Sequence, residues 1–433
     1  LQGIANLYLP PRQWFGRHDF KVGVDLDRLS YDAQFAREPF SFLSDSRVVD
    51  SSSPDLCLTA PQDKDFPCAR YSTFSPAPLH EEYNSEVSAY AEDRWSITNR
   101  LLFEPGIRFD WDSLIHRSDF APRLAATFVL DNAATTKLSA GIGLLYEATP
   151  MFLIARPYAG ARQDTFFSVP DRNCPMRTGC VATTGPVVTT FGADTDALTT
   201  PRFINWSVAI EKKLPFAIYA KAEYMDRRGS REFVYDNPNS ASNGVFLLQN
   251  TRDDRYTAFQ ISLRHSFHET YSVMGSYTHS SARSNQALDF NVDNPVLSPQ
   301  QPGPYPWDSP NRFLSWGYTP FFKLPILHET ELAYSLEART GFPYSLLNPQ
   351  QQLISAPGAE RFPFYFSLNV QLEKRFHLLG YHLAVRGGFD NISGRCNPYV
   401  VNNVIDPISH ATPTFNACQG RAFTSRIRFL GKK

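Results

Sequence analysis

Phe20-Lys-Val-Gly-Val-Asp-Leu-Asp27 decides the fold. Phe20, Val22, Val24 and Leu26 alternate with Lys21, Gly23, Asp25 and Asp27, so a strand built from this segment is apolar on one face and polar on the other. The pattern recurs along the chain. Ile107, Phe109 and Trp111 alternate with Arg108 and Asp110; Leu138 to Tyr146 alternates with Ser139, Gly141 and Gly143; Ile204 to Ile210 alternates with Asn205, Ser207, Ala209 and Glu211. Phe259 to Arg264, Phe366 to Glu373, Leu383 to Asn391 and Phe423 to Phe429 repeat it. With weaker segments included, strands are expected near 18–34, 83–95, 100–112, 121–131, 137–147, 202–213, 217–227, 254–266, 270–283, 311–322, 329–340, 362–375, 381–392 and 421–430.

The links between these strands alternate in length. Short ones fall at 96–100, 132–136, 214–216, 267–270, 323–328 and 376–380, and long ones near 36–82, 148–201, 228–253, 284–310, 341–361 and 393–420. In an up-and-down meander, successive links lie at opposite ends, so all the long ones share an end. This is the asymmetry of outer-membrane barrels, whose periplasmic turns are short and extracellular loops long. A sandwich has no reason to sort its loops this way, and no propeller-type repeat is present. No segment reaches the roughly 18 apolar residues of a spanning helix, whereas strands of about ten residues match a tilted crossing. The expectation is an all-β, transmembrane, antiparallel up-and-down barrel over residues 1–433, with about fourteen strands.

Composition agrees. The 42 basic and 43 acidic residues leave a net charge of -1, which argues against nucleic acid as a partner. The 34 Phe, 20 Tyr and 6 Trp are many for a chain of negative mean hydropathy, and several flank short links. Trp95, Phe103, Phe216, Phe267, Tyr271, Phe321, Phe376 and Tyr381 are assigned to a periplasmic aromatic girdle, where rings sit at the lipid boundary. On the other parity, Lys21, Asp25, Arg108, Asp110, Glu211, Arg264, Glu373, Arg386 and Arg426 are expected to face a wet lumen, available to a ligand or a plug. The six cysteines form close pairs in long links, Cys57 with Cys68, Cys174 with Cys180 and Cys396 with Cys418, which favours disulfides made in an oxidising compartment over free thiols or zinc.

Several motifs resemble the C-terminal barrel of TonB-dependent outer-membrane receptors, particularly the Oar-like kind. They are Ala89-Tyr-Ala-Glu-Asp-Arg-Trp95, Glu104-Pro-Gly-Ile-Arg-Phe-Asp110, Asp119-Phe-Ala-Pro-Arg123, Ser276-Tyr-Thr-His-Ser-Ser281, Thr340-Gly-Phe-Pro-Tyr-Ser345 and Phe389-Asp-Asn-Ile392. The resemblance implies energised uptake of a scarce small-molecule, glycan or peptide ligand, with the TonB complex acting through a plug. No plug or coupling box is recognised here, and the chain ends in Phe429-Leu-Gly-Lys-Lys433 where the family commonly ends on an aromatic residue. About fourteen strands, against about 22 in such receptors, suggest the C-terminal portion of a longer barrel. Outer-membrane lipid and lipopolysaccharide are the expected surroundings. A passive selective porin and a surface adhesin are the alternatives.

Other constellations are weaker. His265, His268 and Glu269 lie at a turn without a further ligand, and Asp194 and Asp196 lack the ligand series of a calcium loop. Ser280, His279 and Asp289 are close enough for a hydrolase triad to be considered, but loops are rich in Ser. Neither an enzyme nor a cofactor is expected. Arg227, Arg228, Arg231, Arg252, Asp253, Asp254 and Arg255 form a charged cluster suited to an anionic ligand or to lipopolysaccharide phosphates.

Overall fold

A computed structural model describes residues 1–43, 48–49, 53–59, 68–167, 183–237, 244–267, 271–288, 298–320, 330–348, 352–378, 380–405 and 413–432. Its wall comprises β1 (Gln2–Tyr8), β2 (Arg17–Ala33), β3 (His80–Ser96), β4 (Leu101–Asp112), β5 (Ser118–Val129), β6 (Thr136–Tyr146), β7 (Arg202–Leu214) and β8 (Ile218–Asp236). It continues through β9 (Val245–Phe267), β10 (Tyr271–Ser284), β11 (Asn311–Pro320), β12 (Thr330–Arg339), β13 (Tyr365–Leu378), β14 (Tyr381–Asp390) and β15 (Ala422–Lys432). Each strand pairs antiparallel with the next, from Gln2↔Asp27 at one edge to Asp390↔Ala422 at the other. No ladder joins β15 to β1 among the described residues.

Two features differ from expectation. β1 adds a strand before the fourteen anticipated. It escaped because two of its three outward positions, Gly3 and Ala5, are too small to make an apolar row with Leu7. The segment 228–253, expected as a loop, is mostly strand. β8 and β9 run for 19 and 23 residues and are linked by 237–244. Past Arg228 the alternation lapses, with Ser230-Arg-Glu232 polar on both faces and Phe233-Val-Tyr235 apolar on both, because those stretches no longer border lipid.

The register places the apolar set of every strand on one face. Val24, Ile142, Val208, Ile261, Tyr277 and Val385 stand there 39 to 53% exposed. A water-soluble sheet would bury such a row; lipid removes the need. Buried apolar clusters occur instead at the long-link end. One gathers Leu114, Ile115, Met151, Ile154, Phe191, Phe233, Tyr235 and Phe246, and a smaller one Leu43, Cys57, Cys68 and Phe167.

These clusters hold a cap made by two long links. Strand Phe40–Leu43 pairs with Cys68–Phe74, which pairs with Arg162–Phe167, which pairs with Thr183–Gly192. Thr190–Gly192 then runs parallel to Val245–Leu247, fixing the cap to β9. A buried ionic knot supports it: Arg162 Nε donates to Asp164 at 2.9 Å, Ser72 Oγ donates to the same carboxylate at 2.5 Å, and Arg70 lies 3.7 Å away. Disulfides join Cys57 to Cys68 and Cys396 to Cys418, as their spacing suggested. Cys174 and Cys180 lie outside the described residues.

Candidate functional site: the polar inner wall and its capped end

The charged residues singled out in the sequence share one face of the wall. The register carries this face from strand to strand, through Lys21↔Glu92, Gly106↔Arg123, Gly143↔Asn205 and Glu373↔Arg386. Opposite-sign neighbours satisfy most of these charges. Lys21 Nζ is 3.4 Å from Glu92 and 4.9 Å from the Tyr90 ring, and Asp25 accepts from Gln2 at 3.3 Å. Arg108 donates to Asp110 at 2.7 Å and to Ser88 at 2.8 Å. Glu211 pairs with Lys137 at 3.1 Å, and Arg264 stacks 4.9 Å from Tyr219. Glu373, almost fully buried, accepts from Arg386 at 3.0 Å and from Arg428, while Arg426 stands opposite Arg386 in the ladder.

A neighbouring cluster was missed. Glu331 accepts from Tyr318, from Tyr271 at 3.3 Å and from Arg375 at 3.2 Å. Its signal was present, since Glu331, Ser335, Glu337 and Arg339 alternate with Leu332, Tyr334, Leu336 and Ala338. Where the inner positions are Gly106, Gly141, Gly143 and Ser207, the wall is low and leaves a hollow of roughly 720 Å³ bordered by Arg123 and Arg227.

The turn-end aromatics stand near the strand ends that border the short links. Trp95 meets Phe103 edge-on at 6.1 Å and donates to the Phe15 carbonyl at 3.0 Å. Phe216 is 85% exposed in a three-residue turn, Phe376 and Tyr381 are exposed, and Phe267 packs 5.8 Å from Tyr271. The Tyr271 hydroxyl joins the Glu331 cluster and its ring packs on Tyr318 at 5.5 Å. Phe321 lies outside the described residues.

The weaker constellations resolve into ordinary roles. Asp194 accepts from the Asp196 amide at 3.2 Å, capping a short turn. Ser280 and His279 are consecutive strand residues on opposite faces, hydrogen-bonded to the Ser309 carbonyl and to Asn311 respectively, so they do not converge. His268, Glu269 and Asp289 lie outside the described residues.

The long-link end carries the site's perturbed group. About ten residues suffice for a tilted crossing, so the far ends of β8 and β9 project past the bilayer. There Glu232, 1% exposed, lies beside Glu147, Asp254 and Arg252. Burial, reinforced by the carboxylates of Glu147 and Asp254, pushes its carboxyl from 4.5 up to about 8. The native state thus keeps a proton that the unfolded chain has lost between pH about 4.5 and 8, so stability of this end falls as pH rises through that window. Hydrogen exchange of residues 229–254 is expected to speed up from pH 5 to pH 8.5 beyond the intrinsic rate, and Glu232→Gln should abolish the excess. An excess unchanged in the variant would assign the effect elsewhere.

A family model described as outer membrane beta barrel domain matches residues 116–351, and one described as TonB dependent receptor-like, beta-barrel matches residues 4–167. No curated protein matches the sequence. Among solved structures, the outer membrane transporter YddB from Escherichia coli is similar at a TM-score of 0.63 and 12% identity, covering 98% of this chain and 53% of that one. The ferric enterobactin receptor PfeA from Pseudomonas aeruginosa, a mutant in complex with enterobactin, gives 0.60, 12%, 98% and 53%. The siderophore receptor PirA from Acinetobacter baumannii gives 0.59, 14%, 99% and 54%. The chain therefore spans about half the length of the structures it resembles.

A continuous antiparallel wall, apolar outside and charged inside, is the build of an outer-membrane protein, and the chain belongs to the outer-membrane β-barrel family. Its residues 4–167 match the barrel model of TonB-dependent receptors, its fold is that of those barrels, and its place is the outer membrane of a Gram-negative-type bacterium.

Proposed function

We propose that this wall and cap are the ligand-facing section of a receptor that takes up a scarce solute by TonB-coupled active transport. The similarity of residues 4–167 to TonB-dependent receptor barrels carries the reading. The long links face the cell exterior, and the capped end meets the ligand first. The inner wall, with its hollow and its balanced charges, accommodates a plug that moves when the TonB complex acts on it. Because similar structures are named as a ferric enterobactin receptor and a siderophore receptor, a metal chelate is the first ligand class to test, ahead of glycans and peptides. No catalytic step is assigned.

The test is growth and uptake of labelled ferric chelates, cobalamin and oligosaccharides under limitation, in cells with and without the complete gene and with and without TonB. Uptake lost in both deletions is expected. A steady open conductance from the full-length protein in a planar bilayer would establish a passive porin instead, and surface binding with uptake intact would establish an adhesin.

A further inference from the structure

Strand alternation divides the arginine-rich cluster seen in the sequence. Arg227 projects inward and lies 3.8 Å over the Phe203 ring, whereas Arg228 belongs to the outer face. Arg228 stands directly opposite Arg255 on β9, and Arg255 directly opposite Arg283 on β10. Three arginines thus occupy a lateral row of opposed positions on adjacent strands, spanning about 10 Å. Asp226, 1% exposed, accepts from Arg228 at 2.9 Å and from Arg255 at 2.8 Å, holding both in place. Asp253 is the other acid on this stretch of the outer face, so the patch keeps a net positive charge. Arg228 and Arg255 remain 60% and 59% exposed despite the pairing.

Height on the barrel decides what such a row meets. Arg228 is ten residues beyond Ile218, and Arg255 and Arg283 are twelve from Phe267 and Tyr271. At about 3.4 Å per residue and a tilt near 45°, the row lies about 24 to 29 Å above the short turns, where an apolar band about 25 Å tall gives way to headgroups. Past Thr257, Ser281 and His279 below it, the outer face of these strands carries Trp206, Tyr224, Phe259, Ile261 and Tyr277, with Trp206 and Tyr224 in ring contact at 5.3 Å. An arginine just above an aromatic belt, with no acid to match it one for one, suits a phosphate bound bidentately rather than a protein carboxylate.

We infer that Arg228, Arg255 and Arg283, braced by Asp226, form an outer-leaflet site for the phosphoryl groups of a bisphosphorylated glycolipid of the lipid A type. The inference rests on the outer-membrane placement and stands whether or not the uptake reading holds. It is tested on protein extracted from outer membranes in mild detergent, with bisphosphoryl lipid A, monophosphoryl lipid A and inorganic phosphate as probes and native mass spectrometry as readout. The triple variant R228Q/R255Q/R283Q should lose co-purified glycolipid and bind bisphosphoryl lipid A at least about tenfold more weakly, with Arg227→Gln, one residue away on the other face, binding as the parent does. Equal retention by the triple variant, equal loss in Arg227→Gln, or displacement by millimolar inorganic phosphate would overturn the site. Should the triple variant fail to assemble, Arg283→Gln alone is read, and parent-level binding by it is likewise contrary.

Discussion

Arginine in place of Val208 is expected to lower the folded barrel's stability by about 2–4 kcal/mol, the effect of a cationic side chain at the bilayer midplane. Val208 lies at the middle of β7, on the outer face, opposite Ala140 and Tyr224 and 39% exposed. An arginine there meets acyl chains at the depth where snorkelling to either surface is longest. The neighbouring Ser207→Arg points into the inner hollow beside Gly141 and Met225, where water solvates it, and should change stability by less than about 1 kcal/mol. Urea titration in lipid vesicles, read from the heat-modified mobility of folded and unfolded bands, gives both numbers. Comparable losses, or a larger one at Ser207, would reverse the two faces and with them the membrane placement.

That comparison turns on alternation, which is also why most of the wall could be read from sequence. A strand facing lipid on one side and water on the other must change polarity at every residue, and Phe20 to Asp27 or Ile204 to Glu211 carry that imprint without help from distant contacts. β1 fails to show it because Gly3 and Ala5 occupy its outward positions. The far ends of β8 and β9 fail for another reason: beyond Arg228 both faces meet water or protein, and the two-residue rhythm lapses while the hydrogen-bonded ladder continues. The cap was not legible at all. Its strands join Arg70 to Phe166 and Ser72 to Asp164, residues more than ninety positions apart, and Arg70 or Arg162 in isolation reads as a surface residue. Buried pairing of this kind is a property of two links together. The inner charges occupy an intermediate position, since their face follows from parity but the carboxylate that anchors each group of cations does not.

Glu373 is such an anchor, and Glu373→Ala is expected to destabilise the C-terminal edge of the wall by about 1–3 kcal/mol, less than a fully buried pair because its partners Arg386 and Arg428 are 35% and 37% exposed. With the carboxylate gone, Arg386, Arg426 and Arg428 face one another across β14 and β15 without an acid among them. The loss should be local. Among the described residues β15 is held by β14 alone, so like charges across that ladder weaken the strand with the fewest other bonds. Hydrogen exchange should rise in residues 381–390 and 422–432 and stay at parent levels in 202–214. Arg386→Ala alone removes one donor and leaves Glu373 paired with Arg428, a smaller perturbation. In the double variant Glu373→Ala/Arg386→Ala the repulsion is partly relieved, and the summed single effects should exceed the measured double effect by about 0.5 kcal/mol or more. Strict additivity would mean that Glu373 acts through packing rather than charge, and that the inner arginines are held by solvent.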